Sequence, residues 1–308
     1  MAPPMQTATE APASFRSSAL RPGPLGLIRE AISEILRRRR LIRHLMDADI
    51  KRKGADTILG NLWWVLDPVI QMGAYLILLT VIFQRSTPDF PLFLFAAILP
   101  WKWFASSISG AVNTVVRQER LIKQVQFPKI VLPVSALVAE VLNFAFGVLL
   151  MLGVLFLAFP AHATINILWL PVIAFVQFVF TLGLALIVSA VNVFYRDVGI
   201  LMGHLIRLWF FLSPTLWSFD STVGRFDAIA DALGEGGVAV LRYNPFAILL
   251  TAYRDVVYGR IDQAGTGFTP GQGPEVVPLA LLFLVSVAMV LLGTIIFKRL
   301  EPAFAKVL

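Results

Sequence analysis

The chain has 308 residues, of which 57% are hydrophobic and only 15% are charged. Soluble domains carry about a quarter of charged residues, so this composition excludes an ordinary soluble protein and indicates an integral membrane protein. The net charge is +7, but most of the excess positive charge lies in segments predicted on one side of the membrane, which argues against nucleic-acid binding. The absence of cysteine excludes thiol catalysis and cysteine metal sites.

The amino-terminal region predicts a tail followed by a helix on the membrane surface. Residues 1–24 are rich in Pro, Ala, Ser and Thr and predict a disordered tail. Over residues 25–53, apolar side chains recur at helical spacing with basic ones between them. This pattern is typical of an amphipathic helix that lies in the membrane interface. Its basic run comprises Arg37, Arg38, Arg39, Arg40 and Arg43.

Six segments are long and apolar enough to cross a membrane, since about 20 residues of helix span the hydrocarbon core. They cover residues 62–84, 92–114, 130–159, 167–193, 198–219 and 276–297. With the amino terminus inside, 19 Lys and Arg residues lie on the inner side and five on the outer side. Positive charge marks the cytoplasmic side. We therefore predict an all-α, six-span membrane protein with both termini, including a tail at 298–308, in the cytoplasm.

A short basic segment, residues 115–129, separates the second predicted span from the third. Its charged side chains cannot lie in hydrocarbon, so it predicts a loop at the membrane surface. Apolar residues alternate with the charges and predict a short surface helix, which ends before Pro128 because the residue preceding a proline avoids the α region. Two interpretations are open here: an ordinary turn between spans, or a helix that a partner binds.

The long loop at residues 220–275 falls on the predicted outer side and is rich in glycine and acidic residues. Within it, an apolar patch at residues 243–258 predicts a helix with one apolar face. That face carries Phe246, Leu249, Leu250 and Tyr253. We expect this helix to lie on the outer leaflet or to dip into it.

Known catalytic motifs are missing from the sequence. It has no G-x-x-x-x-G-K-[ST] phosphate loop, so the chain does not bind ATP in that way by itself. His44, His162 and His204 are scattered and form no H-E-x-x-H pair, which argues against a metal site. A membrane glycosyltransferase or acyltransferase needs a cluster of acids or histidines that we do not find.

Glu140, Arg207 and Lys102 fall inside predicted spans, where charge is costly and is usually paired or functional. Glu140 and Arg207 both lie about 14 Å deep from the inner side, at about 1.5 Å per helical residue. We predict that they pair. The alternative is that Arg207 extends toward the inner surface and Glu140 is protonated. Lys102 has no acid at matching depth and faces a hydrated path, a lipid phosphate or the outer headgroups.

Aromatic residues cluster at the predicted membrane surfaces and deeper in the spans. Trp63 and Trp64 predict an interfacial belt. The deeper residues, with Lys102 among them, are candidates for the substrate path, where aromatic rings stack on sugar rings. They are Tyr75, Trp101, Trp103, Phe104, Trp209, Phe210 and Trp217. The sequence does not distinguish stacking on sugar from simple packing.

Several stretches, taken in order, resemble the membrane subunit of bacterial ABC exporters for lipid-linked polysaccharides, the permease family of O-antigen, teichoic acid and capsule export. These stretches are ILGNLWWVLDP (58–68), ILPWKWFASSISGAVNTVVRQERLIKQVQFPKIVLP (98–133), NVFYRDVG (192–199), FLSPTLW (211–217), NPF with YRD (244–255) and FKRLEPAFAKVL (297–308). One such motif is a weak signal, whereas six in the family's order are specific.

The resemblance implies a homodimer in the bacterial inner membrane, with two copies of a separate ABC ATPase that binds ATP and Mg²⁺. The loop at 115–129 would be the coupling helix that docks into the ATPase, and Arg196 and Asp197 would form a second, smaller contact. The coupling residues would be Gln118, Glu119, Arg120, Leu121, Ile122, Lys123, Phe127 and Pro128. The basic amino-terminal helix would lie at the cytoplasmic lipid boundary, where its arginines attract the diphosphate of a polyprenyl-linked substrate.

From this resemblance we expect the transport subunit of an ATP-driven exporter of a polyprenyl-diphosphate-linked polysaccharide, such as O-antigen or a cell-wall glycan, without enzymatic activity of its own. The alternative is an ABC exporter of the same fold for another cargo, such as teichoic acid, a lipid or a drug. A secondary transporter more often shows internal repeats, and we find none.

Overall fold

The computed structural model describes residues 22–54, 58–82, 89–219, 226–261 and 268–308, which are almost entirely helical. The helices are α1 Pro24–Arg37, α2 Arg39–Gly54, α3 Trp63–Ile77, α4 Phe90–Arg117, α5 Glu119–Gln124, α6 Val131–Ala158, α7 Leu170–Phe194, α8 Asp197–Leu212, α9 Phe226–Arg242, α10 Pro245–Val257 and α11 Val276–Val307. Two-residue strands β1 (Arg260–Ile261) and β2 (Phe268–Thr269) pair antiparallel between α10 and α11. The all-helical class is confirmed. The predicted tail, residues 1–24, lies outside the described residues except for its last three.

Among the described residues, four helices are long and apolar enough to cross a membrane: α4, α6, α7 with the 3₁₀ turn before it, and α11. The other two predicted spans correspond to shorter helices. An apolar segment, Leu66–Ile82, covers most of α3 and the π-helical turn after it, and α8 has 16 residues. α8 ends at Leu212 because Ser213, which precedes Pro214, is extended with ψ 150°. The count of six spans therefore stays a prediction.

Helices α4 and α7 lie at the centre of the molecule, where α4 packs on α6 and α7, and α7 packs on α11. Glycines permit the close approach of α7 and α11. A Cβ on Gly183 would lie 2.8 Å from the backbone of Met289, and a Cβ on Gly293 would lie 2.8 Å from the carbonyl oxygen of Gly183. Small residues at such contacts allow membrane helices to pack backbone to backbone.

The basic amino-terminal segment folds as two helices and not as the single helix predicted over residues 25–53. The break lies at Arg38 (φ −98°, ψ 20°), which ends α1 and whose backbone N–H donates to the carbonyl oxygen of Glu34. Helix α1 packs on α11 through the buried residues Leu27 and Ala31, and α2 packs on α6. On the opposite side of α1, Leu36 is exposed beside the exposed Arg37, and the position of this helix in the membrane interface stays a prediction.

Helix α10 is the one predicted to lie on the outer leaflet, and it is instead buried inside the protein. It packs against α4, and Phe246, Leu249 and Leu250 are 0% exposed. Arg254 is also buried, and its guanidinium donates to the backbone carbonyl oxygen of Thr215 at 2.6 Å. The predicted apolar face exists, but it faces the protein core and not lipid.

Candidate functional site

Helix α5 is a six-residue helix that joins the ends of α4 and α6. It follows a bend at Gln118 and ends at Gln124, before the end predicted near Phe127. Ile122 and Phe127 are buried in one apolar cluster with Phe304 of α11. These apolar contacts hold the segment against the helical bundle and leave its charged side chains at the surface.

The outward side of α5 carries Glu119, Arg120 and Lys123. The ammonium of Lys123 donates to Glu119 Oε1 at 2.7 Å and to the backbone oxygen of Leu308 at 2.6 Å. The hydrogen bond from Lys123 and its charge, with smaller contributions from Arg196 and Arg120, hold the pKa of the Glu119 carboxyl below its usual value. Arg196 therefore lies near α5.

We call α5, the Arg196–Asp197 turn and the carboxyl end of α11 the α5 face. The two segments predicted to contact the ATPase, α5 and the Arg196–Asp197 turn, therefore lie close together on this face. Of the other residues predicted for this face, Gln118, Leu121 and Pro128 are half-buried and Asp197 is exposed.

A buried cation ties the amino-terminal helix to the α5 face. Lys298 Nζ lies 2.8 Å from Glu34 Oε2, 3.3 Å from Glu30 Oε1 and 2.9 Å from Glu301 Oε2. Glu301 Oε1 also accepts a hydrogen bond from the backbone N–H of Lys129, which follows α5. Partial burial raises the pKa of the Glu34 carboxyl, and the hydrogen bond from Lys298 offsets part of this effect.

No motif in the sequence joins the members of this cluster, because Glu34 and Lys298 are 264 positions apart in the chain. Two local patterns in the sequence do indicate parts of this cluster. Glu30 and Glu34 share one face of α1 at i, i+4 spacing, and Lys298 and Glu301 share one face of α11 at i, i+3 spacing.

The predicted lipid-contact arginines occupy the junction of α1 and α2. All of them are exposed: Arg37, Arg38, Arg39, Arg40 and Arg43. An exposed basic run of this kind is suited to an anionic membrane surface or to a phosphate group.

Most of the deep aromatic residues pack against one another in the core. Trp101 is 4% exposed and Phe104 is 0% exposed, and their ring centroids lie 4.7 and 4.4 Å from that of Phe246. Trp209 also contacts Phe246, and its indole N–H donates to Asn244 Oδ1 at 2.8 Å. Buried aromatic contacts of this kind stabilise a core. For these residues the structure favours packing over stacking on sugar.

The remaining aromatic candidates have separate environments. Tyr75 stacks on Phe210 with ring centroids 5.6 Å apart, and the half-buried Trp217 donates its indole N–H to a backbone oxygen near the end of α8 at 3.3 Å. Trp103 stands apart from this cluster, because it stacks on Phe144 of α6 with centroids 4.3 Å apart and lines a cavity.

Two cavities form one polar groove along α4, which we call the α4 groove. The first has a volume of about 420 Å³ and lies between α3, α4 and α6, and the second has a volume of about 260 Å³ and lies between α2, α4 and α6. They share Gly110, Arg117 and Glu140. Further polar residues of the first cavity are Asp67, Lys102, Ser106, Ser109 and Asn143. Polar side chains are rare on membrane-spanning helices and mark surfaces that do not face lipid.

Lys102 pairs with Asp67 of α3 across this groove, with 2.9 Å between Nζ and Oδ2. This ion pair corrects the prediction that Lys102 has no acid at its own depth. Asp67 stands directly before Pro68 in the first predicted span, and its proximity to Lys102 depends on the packing of α3 beside α4.

The predicted pair of Glu140 and Arg207 is not formed within the chain. Glu140 is buried on α6, and its Oε2 accepts a hydrogen bond from Asn143 Nδ2 at 2.9 Å. Arg207 is exposed on α8. The depths of the two residues suggested the pairing, but their helices turn Glu140 into the α4 groove and Arg207 to the outside of the molecule.

Within the part of the chain that the structure describes, no group of three His, Asp or Glu side chains is placed to hold a metal ion. His162, one of the scattered histidines, is buried between Asp89 and Tyr258. Its Nε2 lies 2.8 Å from Asp89 Oδ2, and its Nδ1 lies 2.5 Å from the carbonyl oxygen of Tyr258. This histidine joins loops at the end of the molecule opposite the α5 face.

Comparison with known proteins gives one consistent result. Residues 40–231 match the family model described as ABC-2 type transporter. The chain is 32% identical, over 89% of its length and 98% of the relative, to a Myxococcus xanthus protein named O-antigen export system permease protein RfbA. Two Klebsiella pneumoniae proteins of the same name are 25% and 26% identical, each over 86% of this chain and 93% of the relative.

Proposed function

This chain belongs to the ABC-2 type transporter family, the membrane subunits of ABC transport systems, and we propose that it exports a polyprenyl-diphosphate-linked polysaccharide such as an O-antigen in an ATP-driven complex. The observation that carries the proposal is its similarity, over 98% of the relative's length, to a protein named as an O-antigen export permease. The family model itself matches residues 40–231, which include α5 and the Arg196–Asp197 turn.

A separate ABC ATPase, which binds ATP and Mg²⁺, supplies the energy in this proposal. The sequence contains no phosphate loop of its own. Helix α5 has the properties of a docking element, because Ile122 holds it to the bundle while Arg120 is exposed. Since α5 connects α4 directly to α6, a displacement of α5 by the ATPase would reach both helices that line the α4 groove.

The proposed complex contains two copies of this chain and two ATPase subunits. Arg207 supports a second copy, because this exposed cation lies on an apolar helix beside the exposed residues Leu205 and Leu208. A cation on a lipid-facing surface is costly, and contact with another protein surface relieves that cost. We place the α5 face in the cytoplasm, since 19 of the 26 cations of the sequence fall on that side.

The exposed arginines at the junction of α1 and α2 suit the diphosphate of a lipid-linked cargo. Arg37 and Arg40 are exposed at the boundary where a polyprenyl diphosphate would present its charge. Guanidinium groups bind phosphate oxygens through charge-assisted hydrogen bonds. These arginines would thus hold the lipid end of the cargo at the cytoplasmic surface before export.

Deletion of this chain in its host tests the function. We expect surface polysaccharide to disappear and the polyprenyl-diphosphate-linked polymer to accumulate inside, and a plasmid copy of the chain to restore export. Unchanged surface polysaccharide would overturn the proposal. If a teichoic acid, a lipid or a drug accumulated instead, the alternative of another cargo would replace it.

A further inference from the structure

One buried side chain joins helices α4, α7 and α8 close to the α5 face. Asn192, in the last turn of α7, is 1% exposed. Its Nδ2 donates to the carbonyl oxygen of Val112 at 2.9 Å and to Asn113 Oδ1 at 3.3 Å, both on α4. Its Oδ1 accepts from the backbone N–H of Gly199, in the first turn of α8, at 2.8 Å. The NH₂ group of this amide is thus bound to α4 and its oxygen to α8.

The neighbouring backbone groups fix the orientation of this amide. A backbone N–H only donates and a carbonyl oxygen only accepts, so the amide oxygen must face Gly199 and the NH₂ group must face Val112. The N–H groups of a first helical turn have no partner inside their own helix. The Gly199 N–H also lies 3.2 Å from the carbonyl oxygen of Arg196, and the shorter bond is the one to Asn192.

A glycine makes room for this junction. A Cβ on Gly199 would lie 3.1 Å from Asn192 Oδ1 and 3.2 Å from Asn113 Oδ1. Both distances are shorter than ordinary van der Waals contact, so a larger residue at position 199 would push α8 away from the two asparagines. Glycine allows a backbone to approach other groups this closely.

The junction lies between the two segments that the proposed function assigns to the ATPase. Asn113 precedes Gln118, where α4 ends and α5 begins, by about 8 Å at about 1.5 Å per helical residue. Gly199 follows closely on Asp197. The chain connects α5 directly to α4 and α6 only. A displacement of α5 therefore reaches α7 and α8 through packing and hydrogen bonds, and Asn192 supplies hydrogen bonds between α4 and both.

We propose that Asn192 is a positioning residue of the transport cycle, which makes α7 and the Arg196–Asp197 turn follow α4 when the ATPase displaces α5. This inference rests on the proposed function and concerns the transmission of movement, not the docking of the ATPase. Breaking a buried hydrogen bond leaves a donor or an acceptor without a partner, so such bonds resist separation of the helices. Without Asn192, α5 and α4 would move while α7 and α8 lag behind.

Two substitutions of Asn192 and one matched control test this role. Asn192→Leu has similar volume and no hydrogen-bonding group, whereas Asn192→Asp keeps an acceptor for Gly199 and accepts from Asn113 once that amide turns. The control is Gln177→Leu. Gln177 is a 0% exposed amide of the same helix, and its Nε2 donates to the carbonyl oxygen of Pro100 on α4 at 2.8 Å. The control thus removes the same kind of bond between the same two helices, about four helical turns from Asn192.

Each chain is co-expressed with its ATPase in a host strain that lacks the natural copy. The measurements are the ATPase retained on co-purification, ATP hydrolysis by the purified complex, and the rate at which newly made polysaccharide reaches the cell surface. For Asn192→Leu we expect export to fall by about tenfold while retention and hydrolysis stay within about twofold of the wild type. Asn192→Asp should recover about half of wild-type export or more, and Gln177→Leu should export at the wild-type rate.

Equal export by Asn192→Leu and Gln177→Leu, or no recovery in Asn192→Asp, would overturn the proposal. An Asn192→Leu chain that loses the ATPase, or whose ATP hydrolysis falls in step with export, would also overturn it, because Asn192 would then serve folding or docking. Failure of the proposed function has a different result, since the surface polysaccharide of the host would then not depend on the wild-type chain at all.

Discussion

The ammonium of Lys298 donates to both carboxylate oxygens of Glu34, at 3.0 and 2.8 Å, although the two residues are 264 positions apart. This contact fastens α1 to the carboxyl end of α11. Glu301 extends the contact to the backbone of Lys129, next to α5. We therefore expect α1, α5 and the end of α11 to move as one unit when a partner displaces α5.

Replacing Lys298 with Met removes the cation that Glu34 and Glu301 share. We expect the free energy of unfolding to fall by about 3 kcal/mol, the lower end for a broken buried ion pair, because Glu34 is only partly buried. Thermal unfolding in detergent measures the change. The control, Arg299→Met, removes an exposed neighbouring cation and should cost less than about 0.5 kcal/mol. Equal losses in the two variants would contradict a structural role for the Lys298 cluster.

The ion pair of Lys102 and Asp67 predicts a rescue by charge exchange. Either reversal alone, Asp67→Lys or Lys102→Asp, places like charges across the α4 groove and should lower the melting temperature. The double variant restores opposite charges, and we expect a coupling energy of about 1 kcal/mol in a double-mutant cycle. Strictly additive effects of the two reversals would show that the pair contributes nothing in the membrane protein.

Phe246 tests whether the aromatic cluster is a core or a sugar path. Phe246→Ala removes a ring that is 0% exposed and should cost about 3–5 kcal/mol of unfolding free energy. Phe211→Ala, at a ring that is 64% exposed, should cost about 1 kcal/mol or less. Both are compared by thermal unfolding in one detergent. A fully stable Phe246→Ala variant that no longer exports polysaccharide would favour direct contact with the cargo.

Gly183 tests the close packing of α7 on α11. Alanine there places a methyl group 2.8 Å from the backbone of Met289, and we expect a loss of about 1–3 kcal/mol as the helices move apart. Gly153→Ala on α6 meets no atom within 4 Å and should be neutral or stabilising by up to about 1 kcal/mol, since alanine favours helix. Expression level and melting temperature report both effects. The opposite order of stability would exclude the packing that the structure shows.

Much of the fold follows from patterns that are local in sequence. The basic interruption at 115–129 marked α5, and the periodicity of residues 243–258 marked the apolar face of α10. The location of α10 did not follow, because an apolar face fits lipid and protein equally well. Only the packing of α10 on α4 shows that the face covers the core.

The candidate site was harder to predict, because depth along a span does not give the direction in which a side chain points. Glu140 and Arg207 matched in depth but face different sides of the molecule. Asp67, the acid that pairs with Lys102, cannot be identified from the sequence, because nothing in it shows that α3 lies beside α4. Hydroxyl and amide residues such as Ser106 and Asn143 carry no charge signal, and their shared groove appears only in the folded chain.

The most direct test of the account is co-purification of this chain with the ABC ATPase of its host. We predict that the wild-type chain retains the ATPase and that Arg120→Asp, at the exposed surface of α5, lowers the retained amount at least tenfold. Arg242→Asp makes the same charge change at an exposed position of α9, away from the α5 face, and should retain the ATPase fully. An Arg120→Asp chain that holds the ATPase as well as the wild type, or a wild-type chain that holds none, would contradict the assignment of α5 as the docking element of an ATP-driven exporter.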